Sequence, residues 1–239
     1  MNKKITIVPA IIPTDFNYLK KELQYLKNKV NRVQIDVTDG NYTPNVTWPY
    51  HSKFDSIFES ISGQKEGMPY WESFNFDLDL MVVNPEEKYQ KWVTAGASSL
   101  IFHLESLSGD KVAFIQKVKE ENMIDIGIAI QTKTPNDELE PFLDIVDFVQ
   151  FMGIEKIGYQ GQEFDEKVLE KIKALRVLKP DMDIMVDGSV NFETVEELAE
   201  AGANIFVSGS ALLKAEDITD AIQEMNDMVE SVNVGRCQE

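Results

Sequence analysis

AGASSLIFHLE (95–105) and AGANIFVSGS (201–210) share one plan. In each, an amphipathic stretch closes on Ala-Gly-Ala and passes at once into a short apolar run. A short, nearly continuous apolar run reads as a strand buried on both faces. Glycine after the last periodic residue reads as a helix stop. A helix-to-strand unit that recurs in both halves of the chain predicts repeated α/β architecture within one core, not two linked domains.

Working outward, similar runs recur along the chain: ITIVPA (5–10), RVQIDV (32–37), FDLDLMV (76–82), SLIFHLE (99–105), IDIGIAI (124–130), DFVQFMG (147–153), DIMVDG (183–188) and NIFVSG (204–209). Longer amphipathic stretches lie between them. Tyr18, Leu19, Leu23, Leu26 and Val30 follow helical spacing. Asn84-Pro85 followed by glutamates predicts a helix start, and Asn191 is the expected N-cap of NFETVEELAEAGA (191–203). Residues 61–73 read as a loop. Eight strands alternating with helices point to a parallel sheet, and eight is the number that closes a TIM barrel. The expectation is one (β/α)8 barrel over residues 1–230, with 231–239 a loose C-terminal tail.

The 239 residues suit a single domain of this kind, and 43% hydrophobic content is enough for a large core. A net charge of −18 argues against nucleic acid or an anionic lipid surface as a partner. Backbone amides can still hold a small phosphate locally. The one cysteine, Cys237, gives no disulfide framework, which fits a reducing cytoplasm. No run reaches the roughly 20 apolar residues of a membrane span, and the N-terminus reads as a first strand rather than a signal peptide.

In such a barrel the C-terminal ends of the strands carry the chemistry. That places Pro9-Ala10, Asp36, Asp79, His103, Gln131, Met152, Asp187-Gly188 and Ser208-Gly209-Ser210 at one mouth. Asp36 and Asp187, on the second and seventh strands, face each other across it. Two carboxylates so placed can exchange a proton on opposite faces of one carbon and invert a stereocentre; alternatively each caps the Asp-Gly turn that follows. Asp79 lies between Leu78 and Leu80. Grouped carboxylates repel unless a cation or proton compensates them, so Asp79 points to a divalent ion, or else to a lysine or amide partner. GYQGQEF (158–164), VDGSVN (186–191) and VSGSALL (207–213) together offer backbone amides to a phosphate. His51 reads as solvated, His103 as hydrogen-bonded and structural, and Met81 and Met152 as core filler or as polarizable walls.

Taken together, IVPAIIPTDF, IDVTDGNYTPNVT, LMVVNPE, FHLE, GIAIQTKTP, GYQGQEF, VDGSVN and VSGSAL resemble the ribulose-phosphate 3-epimerase family in order and spacing, from about residue 5 to 215. The resemblance implies a ribulose-phosphate-binding TIM barrel that interconverts ribulose 5-phosphate and xylulose 5-phosphate, with a divalent metal on the enediolate oxygens. It implies Asp36 and Asp187 as acid/base pair and metal ligands, and Met81 and Met152 beside the reacting carbons. Gly161, Gln162, Gly188, Ser189, Gly209 and Ser210 would hold the phosphate. A homo-oligomer is a further family expectation.

The chain departs from the family pattern at several positions. Ala10 replaces a serine, Thr38 a methionine, and Gln34 and Asp79 the two metal-binding histidines. EKIGYQGQ (155–162) is one residue longer than the usual Asn-Pro-Gly-Phe-Gly-Gly-Gln. One reading keeps a metal on Gln34, Asp36, Asp79 and Asp187, an all-oxygen set that favours Mg²⁺ or Mn²⁺ over Zn²⁺. The other is a catalytically degenerate barrel that only binds a phosphosugar, or an epimerase of another phosphoketose. The Asp-x-Lys-x-x-Asp run of hexulose-phosphate synthases and orotidine-phosphate decarboxylases is absent, since DVTDG (36–40) has no lysine.

Overall fold

Each of the eight apolar runs forms a strand in the computed structural model, which describes residues 3–159 and 161–236. They are β1 (Thr6–Ile11), β2 (Arg32–Thr38), β3 (Asn75–Met81), β4 (Ser99–His103), β5 (Asp125–Ile130), β6 (Phe148–Met152), β7 (Asp183–Asp187) and β8 (Ile205–Ser208). They close into a barrel in sequence order, and every observed register is parallel. Strands buried on both faces need little alternation, which is why they read as apolar runs. The chain falls into two compact units, residues 10–128 and residues 1–9 with 129–239, divided within β1 and within β5.

In the 10–128 unit, β2 and β3 pair along their full length, from Arg32–Asn75 to Thr38–Met81, and Asp36 is the direct partner of Asp79. Helix α1 (Phe16–Leu26) starts where the Asp15 carboxylate accepts from Tyr18 N at 2.8 Å, and it buries Leu19, Leu23 and Leu26. The helical spacing that extended to Val30 ends earlier, because Asn28 adopts φ 66 and turns the chain. Helix α2 (Ser56–Ser62) has Asp55 as its cap and a 3₁₀ turn follows at Trp71–Ser73, so the loop expected at 61–73 is partly ordered. Pro85 starts only a 3₁₀ turn, Pro85–Glu87, before α3 (Tyr89–Ala95). The preceding Asn84 sits at φ 49 and offers no side-chain cap. Phe16, Trp48, Phe58 and Trp92 form one aromatic cluster with centroid separations of 4.4–6.0 Å. It anchors the loop after β2 to α1, α2 and α3. Helix α4 (Lys111–Glu121) completes the unit, capped by Asp110.

In the other unit, β1 starts beside β8, with Thr6 opposite Ile205 and Pro9 opposite Ser208. Helices α5 (Lys167–Leu178), α6 (Val195–Ala201), α7 (Ser210–Leu213) and α8 (Ile218–Arg236) follow β6, β7 and β8. Asn191 is not the cap of α6: Thr194 holds that position, and Asn191 Oδ1 accepts from Glu193 N at 2.8 Å in the preceding turn. The repeated Ala-Gly-Ala has a plain cause. Gly96 and Gly202 follow the last residues of α3 and α6 at φ 103 and 119, left-handed values that favour glycine. The boundary expected at residue 230 falls inside α8, which stays helical to Arg236; residues 237–239, with Cys237, lie outside the described residues. Among the described residues no helix is long and apolar enough to cross a membrane.

Candidate active site

Strand β2 ends at Thr38, within DVTDG (36–40), and the two aspartates of that motif have different partners. Asp36 is 6% exposed and accepts from Gln34 Nε2 at 2.9 Å, so the two side chains share one face of the strand. Asp39 serves the loop. Its Oδ1 accepts from Asn41 N and Tyr42 N, and its Oδ2 from Val83 N and Lys88 Nζ, at 2.8–3.1 Å. Burial pushes the Asp39 carboxyl up. The Lys88 ammonium and the three amides outweigh that and hold it below the usual carboxylate range. The turn after β2 is therefore capped by Asp39, not by Asp36. The loop also folds back on the strand: Thr47 N donates to Thr38 O, Thr38 N to Thr47 Oγ1, and Thr47 Oγ1 to Asp36 O.

Strand β3 places Asp79 directly beside Asp36 in the register. Asp79 is fully buried, and its Oδ1 lies 2.9 Å from Nε2 of the equally buried His103 at the end of β4. His103 is thus hydrogen-bonded, as expected, and its partner is Asp79. The Tyr42 ring lies 5.4 Å from the imidazole. Met81, the last residue of β3, is buried opposite Thr38.

In the other unit, Asp187 ends β7 at 9% exposure, opposite the buried Met152 of β6. The three glycine-rich pieces are tied together. Ser189, in the left-handed region at φ 54, donates its hydroxyl to Gln162 O. Ser208 Oγ donates to Val190 O at 2.7 Å, which ties the end of β8, just before Gly209 and Ser210, to the loop after β7. Gly153 N donates to Asp187 O at 2.7 Å, and a Cβ at Gly153 would stand 2.2 Å from Gly188 O. That close approach requires glycine. Gly161 and Gln162 line a cavity of about 550 Å³ with Lys156 and Lys167, where Glu155 is paired to Lys133.

Asp36, Asp79 and Asp187 each bring a carboxylate oxygen within 4.8 Å of the other two. Carboxylates grouped at that separation repel unless a cation or a proton compensates them. Metal–oxygen bonds of about 2.1–2.4 Å let one ion span oxygens up to about 4.2–4.8 Å apart. The set therefore fits a hard divalent ion, and contains no imidazole or thiolate that would select zinc. Gln34 turns its amide N–H to Asp36, which makes it first a support for that carboxylate.

Residues 6–213 match the ribulose-phosphate 3 epimerase family. The chain belongs to the ribulose-phosphate 3-epimerase family. It is 32% identical over 224 residues to the ribulose-phosphate 3-epimerase of Schizosaccharomyces pombe, covering 93% of each chain. It is 30% identical over 228 residues to a ribulose-phosphate 3-epimerase of Oryza sativa described as the cytoplasmic isoform, covering 94% of each. Among solved structures, 3-keto-L-gulonate-6-phosphate decarboxylase from Vibrio cholerae superposes with a TM-score of 0.69 at 14% identity, covering 97% of this chain and 99% of that one. This last likeness bears on the fold alone. Membership makes the chain one of a family of carbohydrate epimerases, which are isomerases.

Sequence reasoning gave His103 a hydrogen-bonded role but not its partner. Its link to Asp79 joins residues 24 apart, and no local motif announces it. The signal available was the alternation of β4, which sets His103 on the same face as Ile101, the register partner of Asp79.

Proposed function

We propose that this chain interconverts phosphorylated ketoses of the ribulose 5-phosphate/xylulose 5-phosphate type by proton transfer between two aspartates. One carboxylate, Asp36 or Asp187, takes the proton from C3 of the ketose. The electron pair moves into an enediolate across C2 and C3, and the other aspartate returns a proton on the opposite face. The observation that carries this reading is the meeting of Asp36 and Asp187, each nearly buried, in one carboxylate cluster. Low solvent access at the two carboxylates shields the enediolate from bulk water, while the aspartate that returns the proton re-equilibrates with solvent between turnovers.

Gln34 orients Asp36 through its 2.9 Å hydrogen bond. Met81 and Met152 wall the reacting carbons, being the register neighbours of Thr38 and Asp187. Gly161, Gln162, Gly188, Ser189, Gly209 and Ser210 hold the phosphate. The hydrogen bonds that tie their loops together support this. Asp36, Asp79 and Asp187 would hold a divalent ion, with Gln34 able to add its amide oxygen, and an ion bound there would supply positive charge beside the enediolate oxygens. Mg²⁺ or Mn²⁺ suits that oxygen set better than Zn²⁺. The family supports a single-domain homo-oligomer, and the Oryza relative supports a cytoplasmic setting.

The test is conversion of ribulose 5-phosphate to xylulose 5-phosphate by the purified chain, followed by NMR with Mg²⁺ or Mn²⁺ present. Turnover that vanishes in Asp36→Asn and Asp187→Asn supports the reading. A folded protein that binds ribulose 5-phosphate without converting it would favour a binding-only barrel, and turnover of a different phosphoketose would reassign the substrate.

A further inference from the structure

Asp79 is a fully buried carboxylate set beside two others. A charge so placed is costly unless a partner holds it. Arg32 does not serve it, because its Nε donates to Asp77 Oδ2 at 2.7 Å, one inward step further down β3. One partner that the fold supplies is His103, at 2.9 Å and with no exposed surface.

The imidazole is itself fixed on several sides. The Tyr42 ring packs on it at 5.4 Å and 58°, and Tyr42 Oη donates to Glu105 Oε2 at 3.3 Å. Ser106 Oγ donates to His103 O at 2.9 Å, which anchors the backbone just where β4 turns into the Leu104–Ser106 3₁₀ helix. Tyr42 belongs to the loop that Asp39 caps, so the loop after β2 and the end of β4 jointly fix one ring.

We propose that His103 is the positioning residue of the metal site: its ring nitrogen fixes Asp79 in the cluster, in the orientation that would receive the ion. The inference rests on the metal reading given under Proposed function. In the common arrangement a carboxylate stands behind a metal-bound histidine and orients it. Here the order is reversed, with histidine behind the carboxylate. A hydrogen bond from the ring limits the directions the second oxygen of Asp79 can take, which holds that carboxylate ready for the ion. This acts on the affinity for the ion and does not require His103 to touch substrate.

The experiment uses the full chain and Mn²⁺ alone, with free Mn²⁺ read by electron paramagnetic resonance. Wild type is compared with His103→Gln, His103→Asn and His103→Leu. Glutamine places an amide N–H at a reach close to that of Nε2; asparagine falls short by one bond, and leucine removes the donor. The expected result is tight binding by wild type, retention within about five-fold by the glutamine variant, and a 10–100-fold loss in the other two. Circular dichroism reports that each variant is folded. If leucine disrupts folding, the glutamine–asparagine pair gives the same reading. Equal Mn²⁺ affinity in wild type and in a folded asparagine or leucine variant would overturn the proposal. Failure of wild type to bind Mn²⁺ would overturn the metal reading and this inference with it, a result distinct from equal binding.

Discussion

Asp77 and Asp79 stand two residues apart on β3, both buried, and they are compensated in opposite ways. Asp77 is satisfied by the protein alone, with Arg32 Nε at 2.7 Å and Ser99 Oγ at 2.7 Å. Even so, burial pushes its carboxyl above the ordinary range, against the pull of Arg32 and Ser99. Asp79 has a histidine behind it and two more carboxylates in front. Toward the N-terminal end of the strands, charge is neutralised by a fixed side-chain pair, which serves stability. Toward the C-terminal end, Asp79 meets Asp36 and Asp187, the carboxylates on which the proposed chemistry rests.

The largest effect that would sharpen this contrast is at the mouth. Asp187→Asn should lower turnover by about 10²–10⁴-fold, the usual contribution of a general acid or base, while the melting temperature changes little. Parallel measurement of turnover and thermal melting checks it; a matching loss of both would make Asp187 a structural group like Asp77.

Breaking the other pole should do the reverse. Arg32→Met leaves Asp77 buried without its cation and should cost about 3–5 kcal/mol of stability. The pH dependence has a defined sign. A carboxyl whose folded-state pKa is raised favours the fold while protonated, and that contribution is lost as pH rises through the folded value. Urea unfolding should therefore show a smaller penalty near pH 5 than near pH 8. A penalty that does not change with pH would contradict the account.

Asp39 gives a smaller effect of the opposite sign. Its carboxyl is held low, so its contribution is present above the unfolded value and lost as pH falls through the folded one. Asp39→Asn should cost about 1–3 kcal/mol near neutral pH, the range for losing a buried charged hydrogen-bond acceptor. The difference from wild type should shrink below about pH 4. Denaturation series at both pH values measure it.

The smallest effect concerns the loops proposed to hold the phosphate. Ser189→Ala removes the hydroxyl that ties the β7 loop to Gln162 O. It should raise KM about ten-fold, near 1.4 kcal/mol of binding, with kcat nearly unchanged. Steady-state kinetics at several substrate concentrations separates the two constants.

The strands were the most legible part of the sequence. Barrel strands are covered on both faces, so RVQIDV and NIFVSG stand out by composition alone, and their observed limits agree within a residue or two. Helix ends were less legible. Asn191 has cap chemistry but spends it in the turn before α6, and Asn28 stops α1 by its backbone angle rather than by any pattern. The carboxylates at the mouth could be named from their strand-end positions. Their supports could not, because Gln34–Asp36 and Asp79–His103 depend on which face each side chain takes and on register between strands. Asp39 shows the limit from the other side: it sits in the same motif as Asp36, and only its four contacts reveal that it holds the loop.

The most direct test of the central claim is deuterium incorporation into ribulose 5-phosphate in D₂O, followed by proton NMR with Mg²⁺ or Mn²⁺ and again with chelator. The account predicts exchange at C3 that depends on Asp36 and Asp187 and falls when the ion is removed. No exchange at C3 from the folded protein with either ion would contradict it.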